Sequence, residues 1–187
     1  MRQIMTNRMS EQTKTWIFNS FFDLLIKSSY KKITIKEISQ HAQISRRTFY
    51  RIFNSKDNLL QSYFEELLNN YLKMLKKNTS QNFENFVKNF FDFWTNYTGR
   101  LKLLERENLL TIMLNEYNKK IPELYEAFPM MWHLKTSDNR ETTVATWFVV
   151  GGLWNVFVGL LSEDDFYDNY DLSQVITETI FRMGNHR

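Results

Sequence analysis

The stretch of sequence that decides the fold covers residues 34–60 and reads TIKEISQHAQISRRTFYRIFNSKDNLL. Its opening fits a capping box, in which the Thr34 hydroxyl accepts a hydrogen bond from the backbone N–H of Glu37 and the Glu37 carboxylate reaches back to the backbone N–H of Thr34. Ser45 is suited to cap a second helix, and Gln43 interrupts the apolar pattern between the two caps. The stretch therefore predicts two short helices around a tight turn.

The second helix of this pair has two chemically different sides. Phe49, Ile52 and Phe53 follow the i, i+3, i+4 spacing of one apolar face. Arg46 and Arg47 stand at its start, and an arginine can donate two parallel hydrogen bonds to O6 and N7 of guanine. A helix pair with this layout can lay its second helix in the major groove of DNA while the first crosses above it. The pattern predicts a DNA-binding helix-turn-helix in which the two arginines read bases.

Further candidates for DNA contact surround these arginines. Hydroxyl groups suit phosphate oxygens, and a lysine at the start of a helix combines its charge with the free backbone amides of the helix end. The candidates are Thr34, Lys36, Ser45, Thr48, Tyr50, Arg51 and Lys56. Short helix pairs are common in all-α proteins and adjacent arginines are often merely solvated, so spacing and charge alone leave both interpretations open.

Charge is distributed unevenly along the 187 residues. Residues 1–60 carry eleven Lys and Arg against four Asp and Glu, whereas residues 61–187 carry thirteen against seventeen. A basic end on a small protein indicates nucleic acid or an anionic membrane surface as a partner, or simply a solvated basic face.

The composition argues against several other classes of function. The chain has no Cys, which excludes disulfides and cysteine-based zinc sites. Its three His lie far apart without metal-ligand spacing, and no Gly-rich phosphate loop is present. We therefore expect no metal, no cofactor and no enzymatic activity, and a place in the cytoplasm, on the nucleoid when the protein is bound to DNA. An all-α enzyme whose basic end is incidental remains the alternative.

Helical periodicity continues over the rest of the chain. Only five Gly and two Pro occur, and strict two-residue alternation is nowhere sustained, which favours an all-α fold. Residues 1–9 lack the apolar run of a signal peptide and predict a short basic arm. Pro122 is expected to open a helix and Pro129 to end it. Apart from the central pair, the predicted helices cover about residues 10–29, 56–77, 81–97, 100–105, 108–120, 122–128, 140–161 and 172–183.

The helix pair and its flanks, about residues 12–62, resemble the DNA-binding segment of TetR-family regulators. That segment typically shows Thr-Val, Ile-Ala, Ala-Gly-Val-Ser, Thr-Phe-Tyr, Tyr-Phe, Lys and Leu-Leu at the matching spacings. Ser29, Gln43 and Arg47 stand where the family usually has Gly, and Ile52 stands where an aromatic residue is common. Gln43 would occupy a turn that favours a positive φ, at a cost of about 1 kcal/mol relative to Gly.

The resemblance implies a two-domain, all-α regulator. An N-terminal three-helix helix-turn-helix domain would cover residues 1–55, a connecting helix would reach about residue 77, and a helical domain over residues 56–187 would bind an effector and dimerise. The implied partners are a palindromic operator in double-stranded DNA, a second copy of the chain and a small apolar or aromatic effector. The implied function is that of a ligand-responsive repressor; an activator or co-activator, and an all-α interaction module without DNA binding, remain as alternatives.

The resemblance also suggests an effector pocket among the helices of about residues 80–128. Aromatic residues and Met suit an apolar or flat ligand. Each such residue can equally be ordinary core, because pockets are few and cores are large. The candidates for the lining are Phe90, Phe93, Trp94, Tyr97, Met113, Tyr117 and Trp147.

Residues 144–161 form an almost wholly apolar run that falls just short of the roughly 20 residues of a membrane-spanning helix. Gly151, Gly152 and Gly159 would allow close helix approach in a membrane or in a protein interface. Together with the apolar stripe of the last predicted helix, the run favours a four-helix interface with a second copy over membrane insertion. The interface candidates are Val144, Phe148, Gly151, Trp154, Val158, Ile176, Ile180 and Met183.

Overall fold

The structure, a computed structural model, describes residues 2–77, 82–127, 138–163 and 169–184. These residues form nine helices and no strand, which confirms the all-α prediction. In chain order the helices are α1 (Arg2–Lys27), α2 (Ile35–His41), α3 (Arg46–Ile52), α4 (Lys56–Lys77), α5 (Phe83–Thr95), α6 (Thr98–Arg106), α7 (Leu110–Ala127), α8 (Asn139–Leu161) and α9 (Asn169–Gly184).

The N-terminal helices enclose an apolar core. Ile17, Phe21 and Leu25 repeat along one side of α1 and are fully buried, as the amphipathic pattern of this segment predicts. Phe49 of α3 and Phe53, just after α3, are buried with them. Because α1 contacts both α2 and α3, the helix pair has a rigid support.

The long helix α4 belongs to the core of both halves of the chain. Its buried residues extend from Leu59, in its first turn, to Leu75, close to its end. They belong to one apolar cluster that continues from α1 to α8, and α4 also packs on α7. Because close-packed interiors transmit displacement, a movement of α4 would shift the residues packed against it in both halves of the chain.

Aromatic side chains dominate the core of the C-terminal half. Tyr71, Phe90, Trp94 and Phe157 are fully buried or nearly so. The ring centroids of Tyr71 and Trp94 lie 5.7 Å apart, and those of Phe90 and Phe157 lie 6.3 Å apart. Each such pair contributes about 0.5–1.5 kcal/mol beyond the area it buries. Around this core, α5 packs on α9 and α7 packs on α8.

Two helix boundaries correct the sequence predictions. The helix α1 begins at Arg2, so the backbone of residues 2–9 is helical rather than a separate arm. No Gly or Pro occurs in that segment, and the helix therefore propagates through it from α1. The helix α7 runs through Pro122 instead of restarting there. A proline inside a helix loses one backbone hydrogen bond and crowds the carbonyl four residues earlier, at a cost of about 3 kcal/mol, and α7 continues through Pro122 despite this cost. Pro129 lies outside the described residues.

The helix α8 is long and apolar enough to cross a membrane, a criterion that the core helix of a soluble protein also meets. From Val150 onward it is a core helix, with Leu153, Phe157 and Leu161 buried in the protein. Before Val150, none of its described side chains is buried. The two halves of α8 therefore have different surroundings.

Candidate DNA-binding surface and effector cavity

Side-chain caps define the start of both helices in the pair. The backbone N–H of Glu37 donates to the Thr34 hydroxyl at 3.2 Å, and the Glu37 carboxylate accepts from the backbone N–H of Thr34 at 2.8 Å. The Thr34 hydroxyl donates to the same carboxylate at 2.7 Å, and these hydrogen bonds lower the pKa of Glu37. The backbone N–H of Thr48 donates to Ser45 Oγ at 3.0 Å. Both predicted caps are confirmed, and they fix where α2 and α3 begin.

The turn between α2 and α3 is held through the backbone. Gln43 has a φ of 53°, in the left-handed region that favours glycine, so the predicted positive φ is confirmed. The backbone N–H of Ile44 donates to the carbonyl of Ser39 at 2.9 Å and closes the turn. The hydrogen-bonded turn keeps the non-glycine residue at a cost of about 1 kcal/mol.

The helix α3 has an anchored side and a free side. Phe49 is fully buried. Arg46, Arg47 and Arg51 are exposed, and none of them has a hydrogen bond or ion pair within the described part of the chain. Tyr50 is 53% exposed, and its ring stands edge-on to Phe49 with the centroids 5.8 Å apart. The three arginines are therefore available to an external anion.

The predicted hydroxyl contacts differ in the protons that they can offer. A phosphate oxygen only accepts hydrogen bonds, so a hydroxyl must bring a free proton. Thr34 gives its hydroxyl proton to Glu37, so it can meet a phosphate only by leaving the cap. The hydroxyls of Ser45 and Thr48 lie 2.9 Å apart, so one of them donates its proton to the other. The hydroxyl that accepts keeps its own proton, which it can donate to a phosphate oxygen. Lys36 is exposed.

Lys56 has a structural role that the sequence pattern does not indicate. Its ammonium donates to the backbone carbonyls of Tyr30 and Ile33, the second at 2.8 Å, and lies 4.1 Å from the centre of the Tyr30 ring. Partial burial lowers the pKa of Lys56. The phenol of Tyr30 in turn donates to Asp57. Lys56 thus ties the turn after α1 to the start of α4, and one of its three N–H donors remains for a phosphate.

Two polar contacts join the end of α6 to the N-terminal helices. The Glu107 carboxylate accepts from the backbone N–H of Tyr30 at 2.9 Å, and the Arg106 guanidinium donates to the backbone carbonyl of Leu25. The partners are 77 and 81 residues apart, so no local spacing in the sequence could reveal them. They place α6 between the DNA-binding candidates and the aromatic core.

Residues 22–63, which include α2, α3 and the first turns of α4, match the family described as "Bacterial regulatory proteins, tetR family". The fatty acid degradation regulator FadR from Bacillus halodurans shares the fold, with a TM-score of 0.62 at 18% identity over 94% of this chain and 97% of FadR. The predicted resemblance of the helix pair and its flanks to TetR-family regulators is confirmed. Because this family consists of DNA-binding regulators, the alternative of an all-α enzyme is set aside.

Two HTH-type transcriptional regulators are similar to this chain in sequence. The HTH-type dhaKLM operon transcriptional activator DhaS of Lactococcus lactis subsp. lactis (strain IL1403) is 31% identical over 121 residues, which span 58% of this chain and 64% of DhaS. The HTH-type transcriptional regulator AlkX of Mycobacterium tuberculosis (strain ATCC 25618 / H37Rv) is 25% identical over 182 residues, which span 90% of this chain and 85% of AlkX. The alignment with DhaS thus spans just under two thirds of DhaS, whereas the alignment with AlkX spans most of AlkX.

In the C-terminal half of the chain a small cavity lies between α5, α7 and α8. The room that it encloses is about 10 Å³, enough for a single water molecule, and the wider space around the lining opens to solvent. Ligand pockets usually measure about 300 Å³ or more, so any effector requires the lining to move. The lining consists of Phe90, Trp94, Met113, Leu114, Tyr117, Val150 and Trp154.

The cavity includes four of the seven predicted lining residues, namely Phe90, Trp94, Met113 and Tyr117. Phe93 and Tyr97 are outside the lining, half-buried, with their ring centroids 5.2 Å apart. They join the core instead, which is the alternative that the sequence left open.

Two tryptophans of α8 are placed differently from their predicted roles. Trp147, a predicted pocket residue, is 50% exposed and outside the lining. Trp154, a predicted interface residue, is 8% exposed and lines the cavity, with its ring edge-on to Trp94. Seven residues are about two helical turns, so both side chains leave the same side of α8. They differ because neighbouring helices cover that side only from Val150 onward.

The other described side chains of the predicted interface are less buried than that of Trp154. Val144 and Phe148 are exposed, Phe148 to 73%, and Ile180 of α9 is also exposed. Val158 and Ile176 are half-buried against the core. No described atom outside the helix's own backbone lies within 4 Å of a Cβ added at Gly151. The side chain of Met183 lies outside the described residues.

Proposed function

We propose that the protein is a homodimeric, ligand-responsive repressor that binds a palindromic operator. The observation that carries this proposal is the free side of α3, where three arginines lack a described partner while Phe49 anchors the helix. Such cations displace the counterions of DNA without first breaking a contact in the protein. Arg46 and Arg47 read base edges, and Tyr50 and Lys36 bind phosphates.

A second copy of the chain supplies the symmetry that a palindrome requires. Val144 and Phe148 give α8 an exposed apolar side, and Ile180 extends it on α9. Two copies paired through these helices would present two α3 helices to successive major grooves, about 34–36 Å apart along the DNA. Sedimentation of the full chain should show a dimer, and Phe148→Asp should shift it toward the monomer.

The effector acts through α6. This helix contacts α7 and α8 beside the cavity and also contacts α1. A ligand that moves α7 and α8 apart also displaces α6. This displacement changes the hydrogen bonds of Glu107 to Tyr30 and of Arg106 to Leu25. DNA binding falls because the ligand then favours an arrangement of α3 that does not fit the operator.

An activator is the second candidate, and the DhaS relative favours it because that protein is a transcriptional activator. A reporter gene placed behind the operator distinguishes the two. A repressor lowers expression in the absence of effector, whereas an activator raises it. Fractionation of the same cells should recover the protein with the cytoplasm and the nucleoid, and recovery with the membranes would instead support insertion of α8.

DNA binding itself is tested by selecting duplexes from a random pool and measuring gel shifts against salt. We expect a palindromic consensus and an affinity that falls steeply with salt. The double variant Arg46→Ala/Arg47→Ala should lose most of the selectivity. Lys73→Ala, which removes an exposed charge on α4, is the matched control and should keep it. Binding without sequence preference would overturn the proposal.

A further inference from the structure

We infer that Glu107, directly after α6, is a positioning residue for DNA binding. By holding the backbone of Tyr30, it fixes the place from which Lys56 offers its remaining N–H to an operator phosphate. The inference rests on the proposed operator binding and gives the C-terminal half of the chain a part in it. Three features carry it: a shielded carboxylate, a turn residue that is bonded on several sides, and a lysine that this turn residue holds.

The Glu107 carboxylate is shielded from solvent and bound to a distant backbone group. Its side chain is 15% exposed, and one of its oxygens accepts a hydrogen bond from the backbone N–H of Tyr30 at 2.9 Å. The other oxygen lies 3.4 Å from Nε of Arg106, whose guanidinium donates to the backbone carbonyl of Leu25. Because a hydrogen bond to a carboxylate is stronger than one to a neutral acceptor, this contact holds the backbone at Tyr30 firmly.

Tyr30 connects this restraint to the start of α4. Its backbone carbonyl accepts from the Lys56 ammonium, its ring centre lies 4.1 Å from that ammonium, and its phenol donates to Asp57. Tyr30 therefore binds Glu107 through its amide and the first two residues of α4 through its carbonyl and side chain. Two of the three groups that hold the ammonium belong to Tyr30, the third being the carbonyl of Ile33. A shift of the backbone at Tyr30 therefore displaces Lys56.

The orientation of Lys56 depends on these contacts. A free lysine side chain is a flexible stem that samples many rotamers. The carbonyls of Tyr30 and Ile33 use two of the three N–H donors of the ammonium, which leaves one in a defined direction. A donor that is already oriented loses less conformational freedom on meeting a phosphate than a freely rotating one does. We therefore expect the hydrogen bond from Tyr30 to Glu107 to raise operator affinity.

The sign of the effect separates this positioning role from simple electrostatics. Because DNA is a polyanion, removing the negative charge of Glu107 should by itself strengthen binding. The inference predicts weaker binding whenever the hydrogen bond to Tyr30 is lost, whatever the charge. Glu107→Gln removes the charge but keeps an acceptor at the same reach, whereas Glu107→Asp keeps the charge but shortens the side chain by one carbon. The two variants therefore separate the hydrogen bond from the charge.

The first measurement follows Lys56 in the full chain without DNA. Brief acetylation with acetic anhydride, read by mass spectrometry, reports how freely each ammonium reacts, with the exposed Lys73 as internal reference. We expect Glu107→Asp to raise the labelling of Lys56 several-fold relative to Lys73, and Glu107→Gln to stay close to the unaltered chain. Unchanged labelling in Glu107→Asp would overturn the inference.

Matched controls come from the same helix. Glu105→Asp and Glu105→Gln make the same two changes two residues earlier, at a side chain without a described hydrogen bond or ion pair. Neither should alter the labelling of Lys56 or the operator affinity. An effect of Glu105→Asp as large as that of Glu107→Asp would contradict the specific role of Glu107.

The second measurement follows operator affinity against salt. Glu107→Asp should weaken binding several-fold and lower the slope of log affinity against log salt by about one phosphate contact, whereas Glu107→Gln should change neither. The double variant Glu107→Asp/Lys56→Gln should bind no more weakly than Lys56→Gln alone, because both changes remove the same contact. Additive losses would show that Glu107 does not act through Lys56. If Lys56→Gln does not fold, the comparison of Glu107→Asp with Glu107→Gln still decides the matter.

The unaltered chain separates failure of the inference from failure of the proposed function. If the unaltered chain selects no operator, the proposed function fails and the inference fails with it. If the unaltered chain selects an operator that Glu107→Asp binds equally well and with the same salt slope, operator binding stands and the inference alone fails.

Discussion

The helix pair and the effector cavity handle their polar groups in opposite ways. In the helix pair, the caps at Thr34 and Ser45 satisfy backbone donors within three residues, and the cations that remain face solvent. Beside the cavity, Trp94 Nε1 and, farther into the core, the Tyr71 hydroxyl are buried without described partners of normal hydrogen-bond geometry. The helix pair leaves the buried hydroxyl of Ser39 without a described partner but offers its charges outward, whereas the cavity borders a buried indole N–H without one. A binding site can therefore consist of exposed charged groups or of buried polar groups that lack a hydrogen-bond partner.

The largest effect is expected on stability, at Phe49, the residue that anchors α3 in the core. Phe49→Ala removes a fully buried ring and should lower the free energy of unfolding by about 3–5 kcal/mol, as measured by urea denaturation. Tyr50→Ala removes a ring from the exposed side of the same helix and should cost no more than about 0.5 kcal/mol. Similar losses for the two variants would show that α3 is not anchored as described.

The next effect concerns DNA affinity. Arg47→Ala should weaken operator binding by about 1–3 kcal/mol and relax the preference at one base position, because the lost contact is to a base edge. Tyr50→Ala should weaken all operator variants by a similar factor, since a phosphate contact carries no sequence information. Gel shifts on a set of single-base operator variants measure both. A uniform loss for Arg47→Ala would contradict the proposal that this arginine contacts a base.

A smaller effect is expected at the cap of α3. Ser45→Ala removes the acceptor for the backbone N–H of Thr48 and should cost about 1 kcal/mol of stability. Ser28→Ala, which changes a half-buried serine just after α1, is the control and should fall within about 0.5 kcal/mol of the unaltered chain. Equal thermal denaturation curves for the two variants would mean that the cap does not stabilise α3.

The smallest effect separates satisfied from unsatisfied hydroxyls. The buried hydroxyl of Tyr71 meets only the phenol of Tyr117, outside normal hydrogen-bond geometry, so Tyr71→Phe should leave stability unchanged or slightly raised. Tyr30→Phe removes a phenol that donates to Asp57 and should cost about 0.5–1.5 kcal/mol. If Tyr71→Phe proves the more costly of the two, its hydroxyl has a partner after all, and the contrast between the two regions disappears.

The sequence predicted the helix pair well because its determinants are local. A capping box spans three residues, a cap serine stands one residue before its helix, and an apolar face repeats every turn. The positive φ at Gln43 could be predicted for the same reason, since a turn of this kind imposes it on whichever residue occupies the position.

The sequence predicted the cavity only in part because burial depends on distant neighbours. Trp147 and Trp154 have the same helical phase, and only the packing of α5 and α7 on α8 decides which of them is covered. The helical spacing of Phe93 and Tyr97 likewise did not distinguish lining from core. Lys56 was expected to meet phosphate, and its contacts to the carbonyls of Tyr30 and Ile33 were missed because a basic side chain gives no sequence signal for a backbone partner.

The contacts at the end of α6 have a consequence for how such a protein can diverge. Glu107 and Arg106 bind a backbone N–H and a backbone carbonyl of the N-terminal half, not its side chains. Any residue except proline at position 30, and any residue at position 25 that keeps the core filled, leaves those two hydrogen bonds possible. The residues proposed to read DNA can therefore be exchanged for others while these two hydrogen bonds persist, so that a new operator preference does not require a new contact between α6 and the N-terminal helices.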